Sequence, residues 1–258
     1  MRILITNDDG VDAPGIAIMA DIAAAISDDV WIVAPDGNQS GAGHRFTLGH
    51  ELAIEQRGIR RFAVIGGSPA DCVVAGMTHV LADRPADLVL SGVNAGQNLG
   101  DIVNCSGTAA GAREGASQGA IGIAMSQAID YQKSRTVEWS NSIRFGTDVV
   151  NAILAAKGDD DVFYNVNFPV CSPDEVMGIA AVPHQRFSRS AFRYYPGDTA
   201  GQFYVAIPET PMPLDSKADF EVLRRQNTIT VTPFALQQTD QKALKRLETL
   251  SLSPAKRF

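Results

Sequence analysis

In the first half of the chain, apolar residues come in short unbroken runs, each closed by a polar break. Ile3-Leu4-Ile5 runs into Thr6 and then Asn7-Asp8-Asp9-Gly10. Short runs without alternation describe strands buried on both faces, as in a parallel sheet. After the break, Ile16, Met19, Ile22, Ala23 and Ile26 recur at helical spacing, and Val30-Trp31-Ile32-Val33-Ala34 is the next run. The order is strand, helix, strand. Pro35 through Gly43 forms a second polar, glycine-rich break at the same end of the strands. Extended segments are expected at Glu51–Gln56 and Arg60–Ile65. A helix from Pro69 to about Leu81 follows, opened by a Ser68 cap with an acid, Asp71, three residues on.

The pattern then repeats. Asp87-Leu88-Val89-Leu90-Ser91 predicts a buried strand, and Gly92 to Gly100 a long glycine and asparagine loop on the same sheet edge. Ser106-Gly107-Thr108 introduces a small-residue helix over Ala109–Gly119, before a strand at Ile121–Met125. A helix over Val137–Ala156 and a strand over Val162–Asn167 complete an α/β pattern with a mainly parallel sheet and helices on both faces. Beyond Pro169, prolines and aromatics multiply and helical periodicity fades. Phe187–Tyr195 and Gln202–Ile207, joined through Pro196-Gly197-Asp198, predict a β-hairpin. Thr228–Thr232 predicts a further strand and Asp240–Leu250 a terminal helix. The expected division is a catalytic core over residues 1–170 and a β-rich carboxyl-terminal arm over 171–258, with one continuous domain as the alternative.

Composition narrows the class. The 258 residues are 45% hydrophobic, enough for a large core, and the net charge of -7 disfavours nucleic acid polymers and anionic membrane surfaces. No secretory signal is read at the amino terminus and no stretch reaches the ~18 apolar residues of a membrane span. Cys72, Cys105 and Cys171 lie far apart, without the spacing of a zinc cage or a disulfide framework. A cytoplasmic enzyme is the expectation.

The breaks carry the chemistry. Adjacent strand residues point to opposite faces, so Asp8 and Asp9 converge on one ion only if the chain turns there, and Gly10 with Val11-Asp12-Ala13-Pro14 supplies that turn. Asp-Asp-Gly is also ordinary turn and cap material. With the Ser40 hydroxyl and the Asn94 side-chain carbonyl, the three loops offer four hard oxygen donors, a set suited to Mg²⁺, Mn²⁺ or Ca²⁺ rather than zinc. Two carboxylates roughly cancel a divalent charge, leaving room for a phosphate dianion. The helix start at Ser106-Gly107-Thr108 reads either as a phosphate cradle or as simple capping. No nucleotide-binding glycine motif is present. His44 and His184 are proton-transfer candidates by residue type, although solvated surface is the favoured reading of His184. Arg186, Arg189 and Arg193 interleave with aromatics in an exposed hairpin or subunit contact, and Cys72 is read as core.

Together, Ile5 to Gly10, Ala34-Pro35-Asp36 with Asn38 to Gly41, Gly67 to Val73, Ser91 to Gly96 with Asn98-Leu99-Gly100, and Ser106-Gly107-Thr108 resemble the SurE family of survival phosphatases. The likeness returns in Asn165 to Pro169 and Thr230 to Pro233. It implies a Rossmann-like core, a metal-dependent nucleotidase acting on nucleoside 5′- and 3′-monophosphates, and in some members activity on short polyphosphate. It implies one divalent ion per subunit, Mg²⁺ or Mn²⁺, on Asp8, Asp9, Ser40 and Asn94, with Asp8 and Asp9 catalytic. Asn98, Ser106, Gly107 and Thr108 are the substrate-binding candidates. Exchange of carboxyl-terminal arms would give a homodimer or homotetramer. The chain departs from many relatives in carrying Gln97 where they have proline, and in lacking a glycine before Thr228. Two other classes stay open: a Mg²⁺-binding receiver-like phosphoacceptor, and a noncatalytic nucleotide-binding module.

Overall fold

The computed structural model describes residues 1–131, 136–207, 210, 212–248 and 250. Its first half follows the expected alternation: β1 (Ile3–Thr6), α1 (Pro14–Ala24), β2 (Val30–Pro35), β3 (Ile54–Gly58), β4 (Arg61–Val64), α2 (Pro69–Ala75), β5 (Leu88–Ala95), α3 (Gly107–Ser117) and β6 (Ile121–Gln127). Next come α4 (Ser140–Ala156), β7 (Val162–Phe168), β8 (Gly178–Ala181), β9 (Arg193–Pro196), β10 (Phe203–Ala206), α5 (Asp219–Gln226), β11 (Thr228–Ala235) and α6 (Gln241–Leu247).

Among the described residues nine strands form one sheet in the order β3-β4-β2-β1-β5-β6-β7-β11-β8. From β4 to β7 every neighbouring pair is parallel, while β3 and β11 run antiparallel to their neighbours β4 and β7. The unbroken Ile3-Leu4-Ile5 run has a direct cause: all three side chains are fully buried, Ile3 and Ile5 in one core and Leu4 in the other. The first core holds Ile16, Met19 and Ile22 of α1 with Val149, Val150 and Ile153 of α4; the second holds Cys72 and Val73 of α2. α3 lies beside α2, and its small residues let it approach the strands closely. A Cβ on Gly111 would stand 2.7 Å from the Ser91 hydroxyl and 2.8 Å from the Thr6 methyl.

The chain leaves β1 outward to β2 and β4, then returns to β5 on the other side. Strand order therefore reverses between β1 and β5, and the carboxyl ends of these two strands flank the crevice where an open α/β sheet takes its ligand.

Three differences from the expected elements have physical reasons. The helix expected through Leu81 ends as α-helix at Ala75 and widens into a π turn over Gly76–Val80, where Gly76 backs closely on Leu4. The strand expected to end at Ser91 continues to Ala95 through a register shift between Ser91 and Asn94. This irregularity keeps Asn94 paired with Ser126 while carrying it to the sheet edge. In the carboxyl third, β8 and β11 extend the main sheet, with α5 packed beside β11; neither β8 nor α5 was expected. Asp219, at the start of α5, accepts hydrogen bonds from the Gly100 and Gln185 amides at 2.9 and 2.8 Å. That staple ties α5 to the loop after β5. The hairpin is present as β9 and β10, a separate two-stranded sheet with Tyr194, Phe203, Tyr204 and Val205 exposed. Residues 251–258 of the expected arm lie outside the described residues. No helix among the described residues is long and apolar enough to cross a membrane.

Candidate active site

β1 delivers Asp8 and Asp9 to the crevice, and the Asn7 side chain shapes the turn by exchanging hydrogen bonds with Gly10, Nδ2 to the carbonyl at 2.8 Å and the amide to Oδ1 at 3.2 Å. The Asp8 carboxylate is buried, 4% exposed. Thr108 Oγ donates to its Oδ1 at 2.7 Å, and the amides of Asp8 and Thr108 face the same carboxylate. Burial nevertheless pushes the Asp8 carboxyl up to about 6; the Thr108 bond opposes the shift and the Asp9 charge adds to it. Asp9 is half-buried, accepts from the Ala95 amide at 3.1 Å, and is likewise raised, first by burial. Among the described residues no lysine, arginine or histidine forms an ion pair with either carboxylate.

The loop after β2 is drawn to this pair by the backbone. The Gln39 amide donates to the Asp8 carbonyl at 2.7 Å, and Val11 donates to the Pro35 carbonyl at 2.7 Å. This brings Ser40, which is exposed, beside the turn that holds the carboxylates. Asn94, at the end of β5, donates its side-chain amide to the Gly96 carbonyl at 2.7 Å, so its oxygen remains the donor for a cation. The structure thus brings Asp8, Asp9, Ser40 and Asn94 to one sheet edge. Among the described residues there is no group of three or more His, Cys, Asp or Glu side chains arranged to hold a metal. The donor set instead comprises two carboxylates and neutral oxygens, which is hard-cation chemistry. A carboxylate pair, one member buried and one half-buried, with only neutral hydrogen-bond partners fits a divalent ion, whose charge would balance both.

The helix start contributes differently from residue to residue. Ser106 Oγ accepts the Ala109 amide at 3.0 Å and so acts as the N-cap of α3. Gly107 presses on Asp8: a Cβ there would be 2.7 Å from the Asp8 Cβ, so a larger residue would displace the carboxylate. Asn98 is buried and donates to Ser126 Oγ at 3.0 Å and Thr108 Oγ at 3.4 Å, bracing the threonine that bonds Asp8. Its own backbone is held by Asn165 and Asn167 of β7: its amide donates to Asn167 Oδ1 at 2.8 Å, and its carbonyl accepts both side-chain amides. Sequence reasoning gave these two asparagines no role of their own. Their signal was present, since Asn165 and Asn167 stand two apart in a buried apolar strand and so share one face.

His44 pairs with buried Glu114 of α3 at 3.0 Å. Burial pushes the Glu114 carboxyl up, but bonds from His44 and Gln118 outweigh it and leave it below its usual range. Together with the Gly43 amide donating to the Cys105 carbonyl at 3.1 Å, the pair fastens the Ser40 loop to the start of α3. His184 instead sits 3.7 Å from Asp101 and against the Phe234 ring. Arg186 also pairs with Asp101. Cys72 is buried in the core, and burial raises its thiol well above the usual value.

Residues 3–191 match the family described as Survival protein SurE. The chain is 42% identical over 250 residues to a protein of Azorhizobium caulinodans named 5′-nucleotidase SurE, covering 96% of this chain and 97% of that one. It is 39% identical over 249 residues to a Methylorubrum extorquens protein of the same name, covering 95% and 97%. The crystal structure of the SurE protein from Aquifex aeolicus superimposes with a TM-score of 0.83 at 30% identity, covering 96% of this chain and 98% of that one. With the family pattern matched over most of its length and full-length relatives near 40% identity, this chain belongs to the SurE family.

Proposed function

We propose that the chain is a phosphomonoesterase that hydrolyses nucleoside 5′- and 3′-monophosphates, and short polyphosphate, with one divalent ion per subunit, Mg²⁺ or Mn²⁺. The observation that carries this reading is the buried Asp8 carboxylate beside Asp9, held by neutral donors at the point where strand order reverses. The names of the full-length relatives point the same way. Asp8, Asp9, Ser40 and Asn94 would hold the ion. When bound, it supplies Lewis-acid polarisation of a phosphoryl oxygen and a lowered pKa for an attacking water.

The chain's own residues set the geometry. Thr108 fixes the Asp8 carboxylate through its hydroxyl, and Asn98 fixes Thr108. The start of α3, with its backbone N–H groups and dipole, lies against the same carboxylate and offers an anion-binding end for phosphate. In this reading Asp8 and Asp9 are the catalytic pair, acting by charge and orientation, and Ser106, Gly107, Thr108 and Asn98 shape the phosphate end. The enzyme acts in the cytoplasm and assembles as a homodimer or homotetramer through the β9–β10 hairpin and carboxyl-terminal arm, whose exposed aromatic surface supports that assignment.

The test is phosphate release from a panel of 5′- and 3′-nucleoside monophosphates after EDTA stripping, with Mg²⁺ or Mn²⁺ restored separately. Release that returns with metal is the expected result. Nucleotide binding by folded, metal-loaded protein without release would make the chain a binding module instead.

A further inference from the structure

A cavity of about 710 Å³, within the ~300–1,000 Å³ of small-molecule sites, opens between the loop after β5 and the segment after β6. It is lined by Gln97, Leu99, Ile129, Tyr131, Phe187 and Arg224, among others. Its near end reaches the acidic turn through Tyr131. The Tyr131 hydroxyl lies 2.8 Å from the position a Cβ on Gly96 would take, and the Gly96 carbonyl accepts the Asn94 side-chain amide. Burial, and after it the Asp9 charge, raise the phenol, as expected of a hydroxyl within the field of that carboxylate.

The segment that carries Tyr131 is pinned. Ile129 donates its amide to Gln97 Oε1 at 3.0 Å, and Ala128 donates to the Phe168 carbonyl at 3.0 Å. Gln97 thus fastens the segment after β6 to the loop after β5. The tyrosine at the end of this tether is still 61% exposed. The lining mixes apolar Leu99, Ile129 and Phe187 with polar Gln97, Asp130 and Arg224. Inorganic phosphate has no use for such walls. A nucleoside does, with its flat apolar base faces and polar edges.

We propose that this cavity takes the nucleoside part of the substrate and that Tyr131 is its specificity-determining residue, the hydroxyl at the ribose end and the ring against the base. The proposal rests on the nucleotidase reading above. Steady-state kinetics of metal-loaded wild type, Tyr131→Ala and Tyr131→Phe, with AMP, GMP and glycerol 2-phosphate as substrates, test it. Tyr131→Ala is expected to raise the nucleotide KM so that the preference for AMP over glycerol 2-phosphate in kcat/KM falls roughly tenfold, as loss of one stacking partner should. Tyr131→Phe, which keeps the ring, should retain most of that preference. An unchanged AMP preference in Tyr131→Ala, or an equal loss on all three substrates, would overturn the assignment. Should Tyr131→Ala fold poorly by circular dichroism, Tyr131→Leu gives the same readout with an apolar side chain in place. Failure of wild type itself on every nucleotide would sink the nucleotidase reading, an outcome separate from any Tyr131 effect.

Discussion

Just past the carboxyl end of β1 the chain buries carboxylate charge that water would hydrate, whereas on the β9–β10 hairpin it exposes large apolar side chains that water disfavours. Each region is costly alone, in opposite senses. The carboxylate turn is nevertheless held rigidly, by Asn7, Thr108, Ala95 and the Gln39 amide, so its unbalanced charge is fixed in place. The hairpin is held chiefly by its own rungs and the stacked Tyr195 and Tyr204 rings, 5.5 Å between centroids. The difference teaches that the two regions are unfavourable for opposite reasons. In the proposed reading, the rigid, over-charged turn is balanced by a cation and the self-paired apolar ribbon is covered by a second subunit.

Substitutions that unbalance one region and leave the other intact test this contrast. The largest effect should come from Asp8→Ala, expected nearly to abolish phosphate release from nucleoside monophosphates while circular dichroism stays native. Because that change removes a buried charge, the metal-free variant should melt no lower than metal-free wild type, and a lower melting temperature would contradict the account of the turn. Thr108→Val, which removes the hydroxyl on Asp8, should weaken metal affinity by about 10- to 100-fold in calorimetric titration, with Thr108→Ser restoring most of it.

Proton linkage sharpens the same side of the comparison. Asp8 titrates near 6 in the metal-free fold and near 4 when unfolded, so its protonation favours the fold below pH 4, and that contribution is lost as pH rises through 6. Added Mg²⁺ should therefore raise the melting temperature more at pH 7.5 than at pH 5, measured by scanning fluorimetry, and equal shifts at both would argue against Asp8 as a ligand. Asp71→Ala breaks the capping box of α2 and both bonds to Thr47, and should cost about 1–2 kcal/mol in denaturant unfolding. Burial pushes the Asp71 carboxyl up, but the bonds from Thr47 and Ser68 leave it low. Its stabilisation is therefore present above the usual carboxylate range and lost as pH falls from that range through the lowered value in the fold; Asp71→Ala should approach wild type in acid. The smallest effect on catalysis belongs to the hairpin. Phe203→Ser with Tyr204→Ser should shift sedimentation toward smaller species while glycerol 2-phosphate turnover per subunit stays within about twofold, as distant, independent sites predict.

Much of the parallel core was legible because burial on both faces leaves a trace in single runs of residues. Ile3-Leu4-Ile5 and the Leu88 run need no knowledge of their neighbours to be read as inner strands. β8 was missed for the converse reason: Gly178-Ile179-Ala180-Ala181 is short and largely exposed, with no periodicity. α5 was missed because Asp219-Phe220-Glu221-Val222 gains its register from the staple to Gly100, 119 residues away. In the candidate site, Asp8, Asp9, Ser40 and Asn94 were singled out by residue type at the polar breaks, and the fold brings them to one sheet edge, Asn94 at the end of β5. The Thr108 bond to Asp8 and the His44–Glu114 pair spanning 70 residues depend on how α3 settles on the sheet, and no local pattern encodes that.

The Asp219 staple also sets an order of events in biosynthesis. When a ribosome has released the first 170 residues, all four oxygen-bearing side chains of the acidic crevice have been made, and β1 through β7 can pair. The acceptor for the Gly100 amide is still about 50 residues from being translated, a delay of several seconds at ~5–20 residues per second. A nascent chain thus carries its donors before it carries the clamp on the loop beside them, and that loop is fastened only once Asp219 has been made.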